Sequence, residues 1–462
     1  MSPIGGVMAA IHAATANKKV AAPKYSISGN VGVAGATIAL GDKSAVSGAD
    51  GTYTIEDIPA GMSGALTPTL AGYQFTPATI SITAMTVNLT GKDYVSLKAL
   101  LFETLTGSGA LTSHTPDIVP VGSAWSVKHG TFGSLFGGKL SYTTGTYGVA
   151  IIDVGVADFE LIGTMKMTGG NTCFVMRSDA DGLARVTIDM NYSNGKINLF
   201  HYSNFTTVDV NLLSSNIYGT GSAYGWPTIQ NNEEHTLRVL ACGPDWHMYF
   251  DGTPLSWAIN AALLTGNQVG FGVVNSPGAD SWNQLAIYPS TGWKKVSIIG
   301  DSISAPTNLA TWVYYWSLLS NNGKIHIQNN NAVAGYSVGT NMAGAATAAS
   351  DDGQDETIIL LGTNDGNADF TATYEAQLEA LWAATSKPII CLGPLDKTTD
   401  AYAANERTRV QNAVATAVAA GVNATYVNTA GWITPATDCS EGLHPNATGK
   451  IKVANALYAL LG

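Results

Sequence analysis

Residues 294–304 read KKVSIIGDSIS, an apolar run that leads into a Gly-Asp-Ser turn. From this point onward, short apolar runs alternate with helical stretches, which is typical of a parallel α/β sheet. The predicted strands span residues 296–299, 325–328, 357–361, 388–392 and 425–427. The predicted helices span residues 307–320, 370–384, 401–420 and 446–461. The sequence therefore predicts a parallel five-stranded sheet with helices over residues 292–462.

The Gly-Asp-Ser turn places a hydroxyl at one edge of this predicted sheet. Ser302 follows the first predicted strand, and open α/β sheets bind their ligands at the carboxyl ends of the strands. We expect Ser302 to lie at the mouth of a crevice, beside the N-terminus of a helix. Taken alone, the turn is also explained by a serine that caps the next helix.

Two histidines follow Gly292, and their sequence contexts differ. His326 lies inside a predicted strand, whereas His444 lies in EGLHPN, just before the last predicted helix. A neutral imidazole is the side chain best suited to accept a serine proton near pH 7. Its second nitrogen needs a carboxylate or carbonyl partner that holds the tautomer. Glu441, three residues upstream of His444, is close enough to fold back onto the ring.

Two further loops after predicted strands carry candidate donors for an oxyanion. They contain AGY, with Gly335 at its centre, and LGTND, with Asn364 as its fourth residue. A tetrahedral acyl-transfer intermediate needs such donors, and a glycine N–H and an asparagine amide supply them. Each residue alone also fits an ordinary turn. The ordered set of serine, glycine, asparagine and histidine is what indicates an acyl-transfer site.

These pieces, GDS, G, GxND and HP, resemble the SGNH (GDSL-type) hydrolase family in order and spacing, over about 170 residues. The resemblance implies a flavodoxin-like three-layer α/β/α fold and esterase activity without a metal or cofactor. It makes Ser302 the nucleophile and a backbone donor to the oxyanion hole, which Gly335 and Asn364 complete. It makes His444 the general base.

This chain departs from the family at the third member of the triad. The family usually has Asp three residues before the histidine, and this chain has Glu441. The extra methylene moves the carboxylate, so the backbone must compensate. Asp438, six residues before His444, is the alternative acid. We favour Glu441 because SEGLHPN falls in register with the family's SDGLHPN.

Two β-rich regions precede the predicted hydrolase domain. Residues 24–98 alternate short β-type runs with turns such as Asp50-Gly51 and resemble carboxypeptidase-regulatory-like or bacterial Ig-like modules. Residues 99–291 resemble concanavalin-like (laminin-G-type) jelly rolls, as in phage tail proteins. We therefore predict two all-β sandwiches, which follow an N-terminal arm over residues 1–23.

The second sandwich is a candidate carbohydrate-binding module. Exposed aromatic side chains stack on sugars, and the candidates are Trp226, Trp246 and Trp257. Most tryptophans of a sandwich this size are instead core or interface residues. Asp179-Ala-Asp-Gly182 resembles part of a calcium loop, but it lacks the later ligands, so a hairpin turn is the favoured interpretation.

Composition excludes several classes of function. The 462-residue chain has a net charge of −11, and only 12% of its residues are charged. It has no run of Lys and Arg long enough to neutralise a series of phosphates, so binding to nucleic acid or to an anionic membrane surface is disfavoured. No apolar stretch approaches the roughly 20 residues of a membrane-spanning helix. The four cysteines are far apart, so a zinc site or dense disulfide framework is not predicted. No nucleotide-binding glycine loop follows a strand.

The prediction is a serine esterase that removes O-acetyl groups from a polysaccharide. The alternative is a glycan-binding structural or tail-fibre protein with a degenerate hydrolase domain, for which Glu441 in place of Asp is the main support. A third hypothesis keeps the hydrolase but gives it a thioester or small-molecule ester. The low charge and Gly-rich β-modules favour an extracellular or virion-associated protein, with a homotrimer as one oligomeric state.

Overall fold

The computed structural model describes residues 22–166, 171–191, 196–204, 208–211, 233–243, 245–259, 265–274, 281–305, 311–350, 353–398 and 402–461. Most of the predicted N-terminal arm lies outside these residues. The chain divides into two compact units, Met1–Ala99 and Leu100–Gly462. Among the described helices, none combines the length and apolar character that crossing a membrane requires.

The first unit is built from short antiparallel strands. They are β1 (Lys24–Asn30), β2 (Thr37–Leu40), β3 (Lys43–Val46), β4 (Thr52–Pro59), β5 (Gly64–Thr69), β6 (Tyr73–Thr76), β7 (Ile80–Ile82) and β8 (Val95–Lys98). Within the described residues, β1 pairs with β4, β6 pairs with β8, and a four-stranded sheet has the order β3-β2-β5-β7. Alternate residues of β4, including Tyr53 and Ile55, point into the core with Ile27 and Ile38, as expected for a sheet with one solvated face.

The second unit begins with the larger predicted sandwich. Its strands are β9 (Leu101–Glu103), β10 (Ser126–Phe132), β11 (Leu140–Asp153), β12 (Phe159–Lys166), β13 (Asn171–Ser178), β14 (Arg185–Asn191), β15 (Lys196–Tyr202), β16 (Val208–Asn211), β17 (Glu234–Cys242), β18 (Asp245–Phe250), β19 (Thr253–Ile259), β20 (Gln268–Val274) and β21 (Ser281–Pro289). A short 3-10 helix spans Leu111–Ser113.

These strands form two antiparallel layers that share one strand. One layer has the order β16-β15-β14-β13-β20-β11 and the other β21-β12-β17-β18-β19. The long strand β11 pairs with β20 through one segment and with β21 at Leu140 and Ser141, so it passes from layer to layer. Phe174 and Phe271 from the first layer and Trp246 from the second meet in a common core.

The α/β region follows. Its elements are β22 (Lys294–Gly300), α1 (Trp312–Leu319), β23 (Ile325–Asn330), α2 (Val338–Ser350), β24 (Glu356–Leu360), α3 (Thr371–Thr385), β25 (Ile389–Leu392), α4 (Ala403–Ala419), β26 (Ala424–Val427), α5 (Pro435–Asp438), β27 (Cys439–Ser440), β28 (His444–Pro445) and α6 (Ala447–Leu461). A 3-10 turn over Ser320–Gly323 follows α1.

The predicted five-stranded parallel sheet is confirmed, with the order β23-β22-β24-β25-β26. Alternate residues of its strands face opposite sides, because side chains of a strand alternate between the two faces. Ile298 and Ile358 pack beneath α1 and α6, while Ile299 and Ile359 pack beneath α2, α3 and α4. The three-layer α/β/α arrangement follows from this alternation.

Helix α2 is absent from the sequence-based prediction. Its sequence, VGTNMAGAATAAS, is dominated by small residues and shows only a weak apolar period, so periodicity does not identify it. In the structure Met342 and Ala346 pack on the sheet. Part of the predicted helix over residues 307–320 lies outside the described residues, and the remainder forms α1.

The sandwich and the α/β region form a single compact unit because strand β18 is buried on both faces. Its inward side chains, including Trp246, join the sandwich core. On its outward side Tyr249 donates to the Leu318 carbonyl at 2.6 Å, and His247 Nδ1 donates to the Gly323 carbonyl at 2.7 Å. The outer face of the sandwich therefore serves as a packing surface for α1.

Candidate active site

The site lies at the point of the parallel sheet where successive strands are added first on one side of β22 and then on the other. The first strand of the sheet, β22, lies between β23 and β24, so the loops at their carboxyl ends open around one crevice. Ser302 follows β22, Gly335 lies in the loop after β23, and Asn364 lies in the loop after β24. The topology thereby brings the three sequence-predicted loops to one edge of the sheet.

A chain of hydrogen bonds links serine, histidine and glutamate at this edge. Ser302 Oγ lies 2.9 Å from His444 Nε2, and His444 Nδ1 lies 3.0 Å from Glu441 Oε2. The His444 and Glu441 side chains are 43% and 72% exposed, so this side of the site is open to solvent. In this order a protonated Nδ1 donates to Glu441 and leaves Nε2 free to accept the serine proton.

A tight hairpin turn brings Glu441 to the imidazole. Strands β27 and β28 pair, and the N–H of Leu443 donates to the carbonyl of Ser440 across the turn at 3.2 Å. Both central residues have positive φ, 50° at Glu441 and 73° at Gly442, which is the signature of a type I′ turn. This backbone brings the Glu441 carboxylate within hydrogen-bond distance of the imidazole.

Asp438, the alternative acid, is occupied elsewhere. Its carboxylate accepts from Lys452 Nζ at 2.8 and 2.9 Å and from the Thr434 N–H at 2.6 Å. These hydrogen bonds hold the pKa of Asp438 below its usual range. The side chain thus stabilises the start of α5 and ties it to α6, and the hydrogen bond to His444 comes from Glu441.

The two predicted oxyanion loops are joined to each other. Asn364 Nδ2 donates to the Tyr336 carbonyl at 2.8 Å, one residue after Gly335. Because an amide nitrogen carries two hydrogens, this bond leaves one for another acceptor. Gly335 has φ 82° and open space at its Cβ position. The Asn364 and Gly335 loops therefore form one connected rim beside the serine loop.

Asp365 holds this rim in place, a role that sequence reasoning missed. Its two carboxylate oxygens accept from the N–H groups of Val338 and Gly339, at 2.9 and 3.2 Å. These are the first residues of α2, so the carboxylate satisfies donors that every helix N-terminus leaves free. The signal that could have found it is the GTND sequence together with helix α2, which periodicity does not reveal.

A buried carboxyl group lies next to the nucleophile. Asp301 is fully buried and accepts from the Ile303 N–H at 2.9 Å, which shapes the turn that presents Ser302. Burial raises the pKa of Asp301 to about 6, although the Ile303 N–H, Thr363, His444 and Lys397 all oppose that shift. Folding therefore disfavours the charged form of this group.

The described part of the chain contains no cluster of three or more His, Cys, Asp or Glu residues that could hold a metal ion. Trp246, one of the three candidates for sugar stacking, is instead a core residue, which is the alternative that the size of the sandwich favoured. Trp246 is 0% exposed, packs in the sandwich core and stacks beneath the Arg177 guanidinium at 4.6 Å. Trp226 and the side chain of Trp257 lie outside the described residues. The Asp179 carboxylate accepts from the N–H of Leu183 at 2.8 Å, so the acidic loop forms the predicted turn.

A comparison with known protein families finds a match in the α/β region. Residues 298–450 match the model of the GDSL-like lipase/acylhydrolase family. No curated protein sequence matches the chain.

Three solved structures are similar to parts of the chain. The family 3 carbohydrate esterase of Clostridium thermocellum shares 15% identity, with 37% of this chain and 100% of that chain covered and a TM-score of 0.32. An acetylxylan esterase from Geobacillus stearothermophilus shares 20% identity, with 37% and 94% covered and a TM-score of 0.30. A carbohydrate-binding module from Bacillus subtilis shares 17% identity, with 36% and 91% covered and a TM-score of 0.25.

The family match covers about a third of the chain and contains the serine loop, both rim loops and the histidine hairpin. Over residues 298–450, the α/β domain at the C-terminus of this chain is therefore similar to the GDSL-like lipase/acylhydrolase family.

Proposed function

We propose that the α/β domain is a serine esterase that removes O-acetyl groups from a polysaccharide through an acyl-enzyme. The observation that carries the proposal is the hydrogen-bonded chain from Ser302 through His444 to Glu441. Together with the rim donors, it contains a nucleophile, a base, a group that orients the base and a place for the oxyanion, which are the parts that acyl transfer needs.

The chemistry proceeds in two halves. Ser302 Oγ attacks the ester carbonyl while His444 Nε2 takes its proton, and the Ser302 and Gly335 N–H groups and the Asn364 amide stabilise the oxyanion. The intermediate collapses, and His444 returns the proton to the leaving sugar hydroxyl. His444 Nε2 then takes a proton from water, which attacks the acetyl-serine. As the bond from the acyl carbon to Ser302 Oγ breaks, His444 returns the proton to Ser302 Oγ, and acetic acid leaves and ionises to acetate.

The open geometry of the site supports a large substrate. The exposure of His444 and Glu441 leaves the leaving-group side accessible to a polymer chain. The β-rich modules that precede the domain suit an enzyme held against a glycan surface, which is an argument from architecture. The sandwich that packs directly on α1 would hold the site at a constant distance from any glycan that it binds.

The test is acetate release from acetylated glycans, together with p-nitrophenyl acetate turnover, by wild type and by Ser302→Ala. Turnover on both substrates that is lost in the variant supports the proposal. Turnover of nitrophenyl esters or thioesters without acetate release from glycans would indicate an esterase with a small-molecule substrate. Equal behaviour of wild type and Ser302→Ala on every ester would overturn the enzyme and favour a glycan-binding structural protein.

A further inference from the structure

A buried ion pair joins Lys397, in the loop between β25 and α4, to Glu406 in the first turn of α4. Lys397 Nζ lies 3.0 Å from Glu406 Oε1, and the two side chains are 2% and 0% exposed. Removing two charges from water costs more free energy than such a pair usually returns, compared with apolar residues of the same size. A gain in the stability of the fold is therefore a weak explanation for this ion pair. The other contacts of its residues indicate a different role.

Lys397 contacts the loop that carries the oxyanion amide. Its ammonium group donates to the Thr363 carbonyl at 2.8 Å, and Thr363 directly precedes Asn364. A buried ammonium with a carboxylate on one side and this carbonyl on the other has little freedom to move. The Asn364 loop is thus held by two hydrogen bonds, one from Lys397 to the Thr363 carbonyl and one from Asn364 to the Tyr336 carbonyl.

The next residue contacts the opposite half of the site. The N–H of Thr398 donates to the Gly442 carbonyl at 2.9 Å, in the turn that carries Glu441. The two segments approach so closely that a methyl group on Gly442 would overlap the Thr398 hydroxyl. Two adjacent residues therefore connect the loop of Asn364 to the hairpin of His444.

We propose that Lys397 and Thr398 are positioning residues that hold the oxyanion amide and the histidine–glutamate hairpin in register around Ser302. The inference rests on the proposed esterase function. Neither residue enters the reaction as a proton donor or acceptor. They act by keeping two loops from different strand ends at one spacing, and errors of about 1 Å in such spacing cost about 100-fold in rate.

The main test is the paired substitution Lys397→Met with Glu406→Gln, which removes both buried charges together. We expect kcat for p-nitrophenyl acetate to fall about 10- to 100-fold, with KM changed by less than about twofold because ground-state contacts persist. Amide hydrogen exchange should become faster in segments 361–370 and 439–446 together. The matched control is Lys387→Met with Asp355→Asn, an exposed pair 3.9 Å apart, which should change neither quantity.

Thr398→Pro tests the other contact and leaves the buried pair intact. Thr398 is exposed, and proline removes both of its donors to the Gly442 carbonyl, the N–H and the hydroxyl at 3.5 Å. This variant is therefore informative even if the paired variant fails to fold. We expect lower kcat and faster exchange in segment 439–446. Wild-type kcat and exchange in the folded variants would overturn the inference. If wild type itself turns over no ester, the proposed function fails, and the exchange of the two segments still decides the positioning role.

Discussion

The two histidines of the α/β domain each pair with a carboxylate, at opposite edges of its sheet. His444 and Glu441 lie in a hairpin at the carboxyl edge and are 43% and 72% exposed. His326 lies at the amino end of β23, contacts Asp245 of the sandwich, and the two side chains are only 14% and 7% exposed. The chemical groups are the same, but their surroundings differ.

The two pairs differ in the contact of the imidazole nitrogen that does not face the carboxylate, and in their exposure to solvent. At the carboxyl edge the histidine has a serine hydroxyl at 2.9 Å on Nε2, and the strand ends leave room for a ligand. At the amino edge the pair is enclosed between β18 and β23, next to the His247 contact with Gly323. A histidine–carboxylate pair is therefore a candidate for catalysis only where its free nitrogen faces a nucleophile.

Removal of each histidine is the strongest test of this comparison. His444→Ala deletes the base, so kcat for p-nitrophenyl acetate should fall by about 10⁴-fold or more, with Tm nearly unchanged. His326→Ala should keep kcat within about twofold and lower Tm, because it leaves a mostly buried carboxylate without its partner. Steady-state kinetics measure kcat of both variants, and thermal unfolding measures their Tm. Loss of activity in the His326 variant at full stability would break the comparison.

The next prediction separates the two acids near His444. Glu441→Gln should lower kcat by about 10²- to 10³-fold, less than a buried triad acid, because solvent near this exposed group replaces part of its effect. Asp438→Asn should keep kcat and lower Tm, since it weakens the tie to Lys452. The reverse pattern of kinetics and Tm would make Asp438 the orienting acid.

Asp301 gives a pH-dependent test of the carboxyl edge. Its pKa rises from 3.8 to about 6 on folding, so the folded state takes up the proton first, and stability from this group falls as pH rises from about 4 to 6. The shift is worth about 3 kcal/mol at about 1.4 kcal/mol per pKa unit. Asp301→Asn keeps the acceptor for the Ile303 N–H. It should unfold at a higher temperature than wild type at pH 7.5 and show no such gain at pH 4. An equal difference at both pH values would show that Asp301 does not titrate in this range.

The smallest expected effect concerns the junction between strand β18 of the sandwich and helix α1, where Tyr249 contacts Leu318. Tyr249→Phe removes a buried hydrogen bond to the Leu318 carbonyl and should cost about 1 to 2 kcal/mol in unfolding free energy, with kcat unchanged. Tyr94→Phe is the matched control, because it removes the same kind of bond, to the Leu66 carbonyl at 2.7 Å, in the other compact unit. Urea unfolding of both variants measures the effect. A change of kcat in Tyr249→Phe would mean that the junction influences the site.

Local patterns carried most of the fold prediction. The strands of the parallel sheet are short apolar runs, and all five were predicted from them, because a strand buried on both faces has few polar residues. The small-residue helix α2 was missed, and with it the role of Asp365 at its N-terminus. The sequence left Trp246 open between a sugar-stacking and a core residue, because an aromatic side chain in a strand has the same sequence signal whether it faces the core or the solvent.

The amino-acid sequence by itself determined the α/β architecture, the order of the strands along the chain and the candidates Ser302, Gly335, Asn364 and His444. These follow from hydrophobic periodicity and from turn chemistry, which are properties of neighbouring residues. The tertiary structure decided that Glu441 and not Asp438 contacts the histidine, and that His326 belongs to a packed junction. It also decided that Lys397 and Thr398 bridge the two halves of the site. Such contacts join residues far apart in the chain, and only the path of the folded backbone brings them together.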